Sequence, residues 1–349
     1  MELHAIERPA NAFQQVLTER QILAVARRAF GPNTLVRSAM ELGGGMYNTT
    51  YRLGLADRAE PVILRVAPEP ARQFRSEREL MRAEYASVPW LAPIADLMPR
   101  VLASDFTQSV IGRDWMIQSF LPGVPAPQLL GSYPKGTHSA FFRRIGKIAA
   151  AVHAVAGPWF GPITGPGHTR WSEAVVTSLH LIAEDVESCG LDAADLRKAA
   201  DAAQAGAQVL DEVAVPRLLT GDLWTVNTLL AGGAPVPTIC GVLDMDRTWW
   251  GDPEADWPTR MARAKQDERL SFFEACPGAR GHCAGPVAAA RVRGAAPRRA
   301  APGAAPARQP GRCTGFLSGG GSGVVRARLL KVKGASPGRG GALRVDRVR

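Results

Sequence analysis

Several features are scarce in this chain, and each absence removes a class of protein. No stretch of its 349 residues approaches the about 18 consecutive apolar residues of a membrane-spanning helix. The start, Met1-Glu2-Leu3-His4-Ala5, lacks the basic region and apolar run of an export signal. The five cysteines, at 189, 240, 276, 283 and 313, are an odd number with no disulfide framework. Cys276, His282 and Cys283 lie near one another in sequence, but nothing around them completes a zinc-type spacing. A cytoplasmic protein with reduced thiols and no membrane contact is therefore expected. No internal repeat of solenoid period is present, and nothing in the sequence sets an oligomeric state.

Acidic residues are also scarce, but only at one end. From Cys276 onward 15 Lys and Arg face the single carboxylate Asp346, a net of +14, whereas residues 1–275 carry 27 basic and 31 acidic groups, a net of −4. The overall charge of +10 thus comes from a tail on a mildly acidic body. Ala, Gly, Pro and Arg make up about two thirds of residues 276–349, and Phe316 is their only aromatic residue. Such a composition cannot bury enough surface to offset chain entropy, so a disordered basic C-terminal tail is expected. Contact with nucleic acid is not expected except through that tail, by release of counterions. The abrupt change at Ala275-Cys276-Pro277 also has the bias of GC-rich DNA translated out of frame, and the gene sequence around codon 275 decides between these readings.

The body divides into a strand-rich part and a helical part. Thr18-Glu19-Arg20-Gln21 is a capping box opening an amphipathic helix that Gly31-Pro32 stop. Strands are predicted over Leu35–Leu42, Tyr51–Leu55, Pro61–Val66, Arg100–Leu102 and Trp115–Phe120, with a charged helix over Ala71–Ser87. After Leu121-Pro122-Gly123 helices are predicted over Phe141–Ala156, Trp171–Glu187 and Asp192–Val213, the last with Asp192 as its N-cap. Short strands follow at Leu218–Thr220, Thr228–Leu230 and Thr238–Leu243, and Trp257–Ala264 opens a further helix.

The chemistry is concentrated in Thr220-Gly221-Asp222-Leu223-Trp224-Thr225-Val226-Asn227, then Asp244, then Gly251-Asp252-Pro253-Glu254-Ala255-Asp256. Phosphoryl transfer asks for a carboxylate near the attacking hydroxyl and oxygen ligands that hold Mg²⁺ against the phosphates. Asp222, Asn227 and Asp244 supply that set on two neighbouring loops. Taken singly, each of these residues is equally an ordinary turn or cap residue. Gly43, Gly44 and Gly45, between two predicted strands, let a backbone approach phosphate without a Cβ in the way, although hairpin turns use the same residues.

These segments resemble the H-G-D-x-x-x-x-N and G-D-P-x-x-D motifs of the aminoglycoside phosphotransferase family, a small-molecule branch of the protein-kinase fold. The resemblance extends to about residue 273. It implies a two-lobed, protein-kinase-like α+β fold, with a five-stranded nucleotide-binding lobe over residues 1–118, a mainly helical catalytic lobe over 119–275 and the low-complexity tail over 276–349. It further implies ATP and Mg²⁺, with transfer of the γ-phosphoryl group to a hydroxyl of a small molecule such as an aminoglycoside-type antibiotic. In that reading Asp222 aims the substrate hydroxyl, and Asn227 and Asp244 bind Mg²⁺. Gly43, Gly44 and Gly45 form the nucleotide loop, and Arg65 stands where kinases place Lys, with Glu84 as its helical partner and Glu77 as the rival. Asp246 is an outer metal ligand or a solvated loop residue. Asp252 and Asp256 brace the loop, and His153 is a satisfied buried histidine. Gln118-Ser119-Phe120, at the lobe junction, does not separate ATP from GTP. Thr220 departs from the family's His, which puts the rigidity of the loop in question. Two alternatives stay open: a catalytically impaired or truncated kinase-like protein, and a binding protein that uses its basic tail.

Overall fold

The computed structural model describes residues 1–9, 12–43, 45, 47–256 and 264–276. The expected helix over 257–264 falls almost wholly outside the described residues, as do Gly44 and the tail beyond Cys276.

The N-terminal lobe is a sheet of β1 (Glu2–His4), β2 (Val36–Leu42), β3 (Thr49–Leu55), β4 (Val62–Val66), β5 (Val101–Asp105) and β6 (Trp115–Ser119), in the order β1-β2-β3-β4-β6-β5. It has six strands rather than the five expected. The extra strand β1 runs parallel to β2 at the edge and is three residues long, too short to show an alternation in sequence. Helix α1 (Glu19–Phe30) starts with the expected capping box, Thr18 and Gln21 bonding reciprocally, and ends at Gly31 with φ 107°. Its buried stripe of Ile22, Val25 and Ala26 packs with Tyr51, Leu53, Leu64 and Ile117 of the sheet. Burial of this kind stabilises by about 1.5–3 kcal/mol per large aliphatic side chain.

The helix expected over 71–87 is shorter. Only α2 (Leu80–Ser87) is α-helical, and residues 70–79 make two 3₁₀ turns, Pro70–Arg72 and Arg75–Glu77. Glu79, at φ 63°, breaks the path between them and α2. The break has a tertiary cause, because the Asp185 carboxylate takes the amides of Arg75 and Ser76 at 2.9 and 2.8 Å, which a helix through these residues would have needed.

The second lobe is built on β7 (Val124–Pro125), α3 (Ala126–Leu129), α4 (His138–His153), β8 (Gly161–Pro162), α5 (Trp171–Ser188), α6 (Ala194–Ala205) and α7 (Ala207–Leu210). It continues through β9 (Arg217–Leu219), β10 (Thr228–Leu230), β11 (Ile239–Val242), β12 (Trp249–Gly251) and α8 (Gln266–Ala275). The helix expected over 192–213 is split at Gly206 into α6 and α7, and Asp192 accepts the Ala194 amide at 2.9 Å. Two three-stranded sheets, β11-β10-β7 and β8-β12-β9, carry the segments of interest. Phe141, Ile145, Val152, Leu218, Val242, Trp250 and Phe272 share the core beneath them. Helix α8 crosses α4 so closely that a Cβ on Gly146 would lie 2.3 Å from the Phe272 carbonyl oxygen. Among the described residues no helix is long and apolar enough to cross a membrane.

Candidate active site

Strand β4 lies between β3 and β6, with Arg65 opposite Thr50 on one side and Met116 on the other. The Arg65 guanidinium is buried and meets both oxygens of Glu84, from α2, at 2.5 Å through Nη1. Its Nη2 reaches across to Asp244 Oδ1 at 2.5 Å, with Asp246 Oδ2 at 4.0 Å. Gln118 Nε2 donates to Glu84 Oε1 at 3.0 Å, completing the carboxylate's partners. Isolated, such buried charges would cost several kcal/mol each, and the planar fork of donors on Arg65 offsets this by serving carboxylates from both lobes. Burial works against the charge on Arg65, but Glu84, Asp244 and Asp246 outweigh it and hold the guanidinium protonated. No lysine precedes Lys135, so the sheet carries arginine and no lysine.

The catalytic-loop candidate leaves β9 at Thr220. Gly221 adopts φ 67°, and a Cβ there would stand 1.8 Å from the Arg247 carbonyl oxygen, so only glycine fits. A 3₁₀ turn over Thr225–Asn227 then brings Asn227 back, and its Nδ2 donates to Asp222 at the main-chain oxygen (2.9 Å) and at Oδ2 (2.8 Å). This fixes the amide so that Oδ1 remains its acceptor atom. Behind the loop, Asp256 Oδ2 accepts the Thr220 amide at 2.6 Å, the Thr220 hydroxyl at 2.8 Å and His153 Nε2 at 2.8 Å, while Oδ1 accepts the Gly221 amide at 2.8 Å. Thr220 thus braces the loop through its hydroxyl. Burial alone would favour a neutral His153, but Asp256, with Cys276 beside the ring, raises its pKa to about 9.

Asp244 follows β11 and is one of three non-glycine residues at positive φ, at 63°, among those described. A left-handed aspartate costs on the order of 1 kcal/mol, and such strain gathers where a side chain must be aimed. Its side chain is 38% exposed, whereas that of Asp246 is 4% exposed and not solvated. Burial and the neighbouring Asp244 push the Asp246 carboxyl well above the ordinary range. Carboxylate oxygens of Glu84, Asp244 and Asp246 lie within 4.8 Å of one another. Arg65 already serves the first two, which leaves the open side of Asp244 and the Asn227 amide oxygen as hard oxygen donors suited to Mg²⁺.

A model of the phosphotransferase enzyme family matches residues 38–269. The chain belongs to the phosphotransferase enzyme family. Its fold is shared by APH(2")-IIia in a GDP and kanamycin complex, at 15% identity and a TM-score of 0.53 over 74% of this chain and 83% of that one. The aminoglycoside phosphotransferase APH(4)-Ia is similar at 20% identity and a TM-score of 0.52, over 74% and 84%. A thermostable mutant of APH(4)-Ia in its apo form gives 20% and 0.51, over 74% and 83%. No curated protein sequence matches the chain.

In this phosphotransferase the structure brings together Asp222 with Asn227, and Arg65 with Glu84 and Asp244. Gly43 and Gly45 lie between β2 and β3, where Gln14 Nε2 donates to the Gly45 carbonyl at 3.1 Å and to that of Asn48 at 2.8 Å. Asp252 caps the turn Pro253–Ala255 by accepting the Glu254 amide at 3.2 Å. Trp250 packs in the core beneath Gly157. Glu77, the rival for Arg65, instead pairs with Arg247, whose Nη2 lies 2.7 Å from its Oε1. Sequence reasoning missed Arg247; its one signal was a cation directly after the closely spaced Asp244 and Asp246.

Proposed function

We propose that this chain transfers the γ-phosphoryl group of ATP to a hydroxyl of a small molecule, with Mg²⁺ as cofactor. The observation that carries the reading is that Asn227, bonded to Asp222, also takes the Leu243 amide on its carbonyl at 2.9 Å, next to Asp244, which Arg65 meets from the sheet. Asp222 accepts and aims the acceptor hydroxyl, which suits a loose transition state that needs positioning more than covalent help. Asn227 and Asp244 would hold Mg²⁺, which when bound offsets the charge of the phosphates. Arg65, anchored by Glu84, pairs with the phosphates, and Gly43, Gly44 and Gly45 serve as the nucleotide loop. In this scheme residues 1–118 bind nucleotide and 119–275 supply the base and the acceptor side.

Between Asp222 and Asn227, Trp224 and Val226 are 41% and 42% exposed and offer an apolar wall beside the base. A ring-shaped, polyhydroxylated acceptor suits that wall, and the solved relatives were captured with such molecules, kanamycin in one and hygromycin B with AMP-PNP in another. A net charge of −4 on residues 1–275 accommodates an acceptor carrying amines. The test is turnover with ATP or GTP and Mg²⁺ over a panel of aminoglycosides, amino sugars and simple alcohols. Phosphorylated product is expected from at least one acceptor and is lost in Asp222→Ala. An Asp222→Ala protein that turns over like wild type would sink the assignment.

A further inference from the structure

The segment ahead of α1 has no part in the roles above, yet it is tied to the turn between β2 and β3. Gln14 Nε2 donates to the carbonyls of Gly45 and Asn48, at 3.1 and 2.8 Å, so one side-chain amide spans that turn. Both partners are acceptors, which fixes the amide with its NH₂ toward the turn. One residue earlier, the Phe13 ring lies 5.6 Å from that of Tyr47, whose hydroxyl donates to the Glu77 carbonyl at 2.7 Å.

The segment is itself anchored on both sides of Gln14. Upstream, β1 pairs with β2, the Ile6 amide reaches Glu41 Oε2 at 2.8 Å, and Arg8 meets the other oxygen of that carboxylate. Glu41 is buried and is the penultimate residue of β2, two positions before Gly43. Downstream, the Leu17 amide donates to the Tyr51 hydroxyl at 2.8 Å, and the Thr49 hydroxyl donates to the Gln15 carbonyl at 3.3 Å. Arg72 Nη1 adds a bond to the Ala12 carbonyl at 2.8 Å. Glu41 and Tyr51 are partners across β2 and β3, and Tyr51 packs with α1. Tyr51 in turn pairs with Leu64, so Arg65, the next residue, points to the opposite face of the sheet. The anchors of the segment thus lie on the face away from Arg65.

A turn built on glycines has many conformations to lose when it closes on a ligand. A donor that fixes two of its carbonyls beforehand removes part of that cost. We propose that Gln14 is a positioning residue for the nucleotide: by bridging Gly45 and Asn48 from an anchored segment, it holds the turn in the shape that receives the phosphates. This inference rests on the phosphotransfer reading, in which Gly43, Gly44 and Gly45 serve as the nucleotide loop.

The experiment compares Gln14→Ala, Gln14→Glu and the control Val16→Ser with wild type, all as full chains. Binding is titrated with the fluorescent N-methylanthraniloyl derivatives of ADP and GDP in Mg²⁺, alongside Tm and kcat at saturating nucleotide. Gln14→Glu keeps the outline of the side chain and removes the donor. Both Gln14 variants are expected to weaken binding of the labelled nucleotide about tenfold, the scale of one hydrogen bond lost. Their kcat at saturation should stay within about twofold of wild type, with Tm little changed. Val16, on the same segment and 40% exposed, should be silent. Wild-type affinity in either Gln14 variant overturns the proposal, as does equal weakening in Val16→Ser or a fall in kcat at saturation with affinity unchanged. Each of those results leaves the phosphotransfer reading standing. Should Gln14→Ala fail to fold, Gln14→Glu is judged by the same measurements. Wild-type protein that binds neither labelled nucleotide overturns the phosphotransfer reading and this inference with it.

Discussion

Nε2 of His153 lies 2.8 Å from Oδ2 of Asp256, the same oxygen that receives the amide and the hydroxyl of Thr220. A buried helix-end histidine and a loop threonine therefore share one carboxylate, and the candidate catalytic loop is held from behind by a hydrogen-bonded cluster. Removing the carboxylate strands three donors and a buried cation. Asp256→Ala should cost about 3 kcal/mol or more, read as a shift in chemical denaturation midpoint, while Thr220→Val should cost about 1 kcal/mol. Equal losses for the two would mean that the cluster is not centred on Asp256.

The same pair sets a dependence on pH. Because the folded-state pKa of His153 is raised from 6.5 to about 9, the protonated ring contributes its stabilisation fully below about 6.5 and loses it as pH rises through about 9. Thermal melts of wild type should fall more steeply across that window than those of His153→Gln, which keeps a donor but cannot titrate. Parallel curves would contradict the shift.

Gly221 should tolerate no side chain. Gly221→Ala puts a methyl group 1.8 Å from the Arg247 carbonyl oxygen at a backbone φ of 67°. Loss of about 2 kcal/mol or more is expected from the left-handed conformation and the displaced loop together. Turnover should fall with it, measured on whatever fraction folds, since Asp222 is the next residue. Wild-type melting and kcat would show that the loop relaxes freely.

Arg65 and Glu84 should be separable by substitution. Arg65→Met leaves Glu84 buried without its cation and should cost about 3–5 kcal/mol. Arg65→Lys keeps the charge but cannot fork between Glu84 and Asp244, so it should fold with a lower Tm and a raised nucleotide KM. A lysine variant with unchanged KM would place the phosphates elsewhere.

Metal dependence gives an independent check on Asn227 and Asp244. Chelation should abolish turnover, and Asp244→Asn should demand a higher Mg²⁺ concentration for half-maximal rate, followed by titration at fixed nucleotide. An unshifted titration would remove Asp244 from the metal site.

Much of this architecture was legible because it is written locally. The strands β2, β3, β4, β5 and β6 fall within a few residues of the predicted ones, since alternation and continuous apolar runs report burial directly. The pairing of Arg65 with Glu84 followed from the family resemblance and from Glu84's distance to the next strand, with Glu77 as the rival, and the two side chains do meet. What escaped was non-local. The segment before α2 has helical composition, yet Asp185, from a distant helix, captures its amides and prevents it. Helix α8 was missed because Gln266–Ala275 gives little amphipathic signal next to the low-complexity sequence; its partner is the close-approach surface at Gly146. Glu77 was weighed only against Arg65, because no sequence pattern links it to Arg247, 170 positions away.

The arginine in the sheet has a practical consequence for finding such proteins. Reagents that mark nucleotide clefts by acylating a primary amine depend on a lysine at the phosphates, and here the first lysine of the chain is Lys135, beyond the whole sheet. A guanidinium stays protonated and is a poor nucleophile. On the proposed reading, a nucleotide carrying an acylating group would dock against Arg65 and find no amine there, so a survey built on that chemistry would pass over this enzyme.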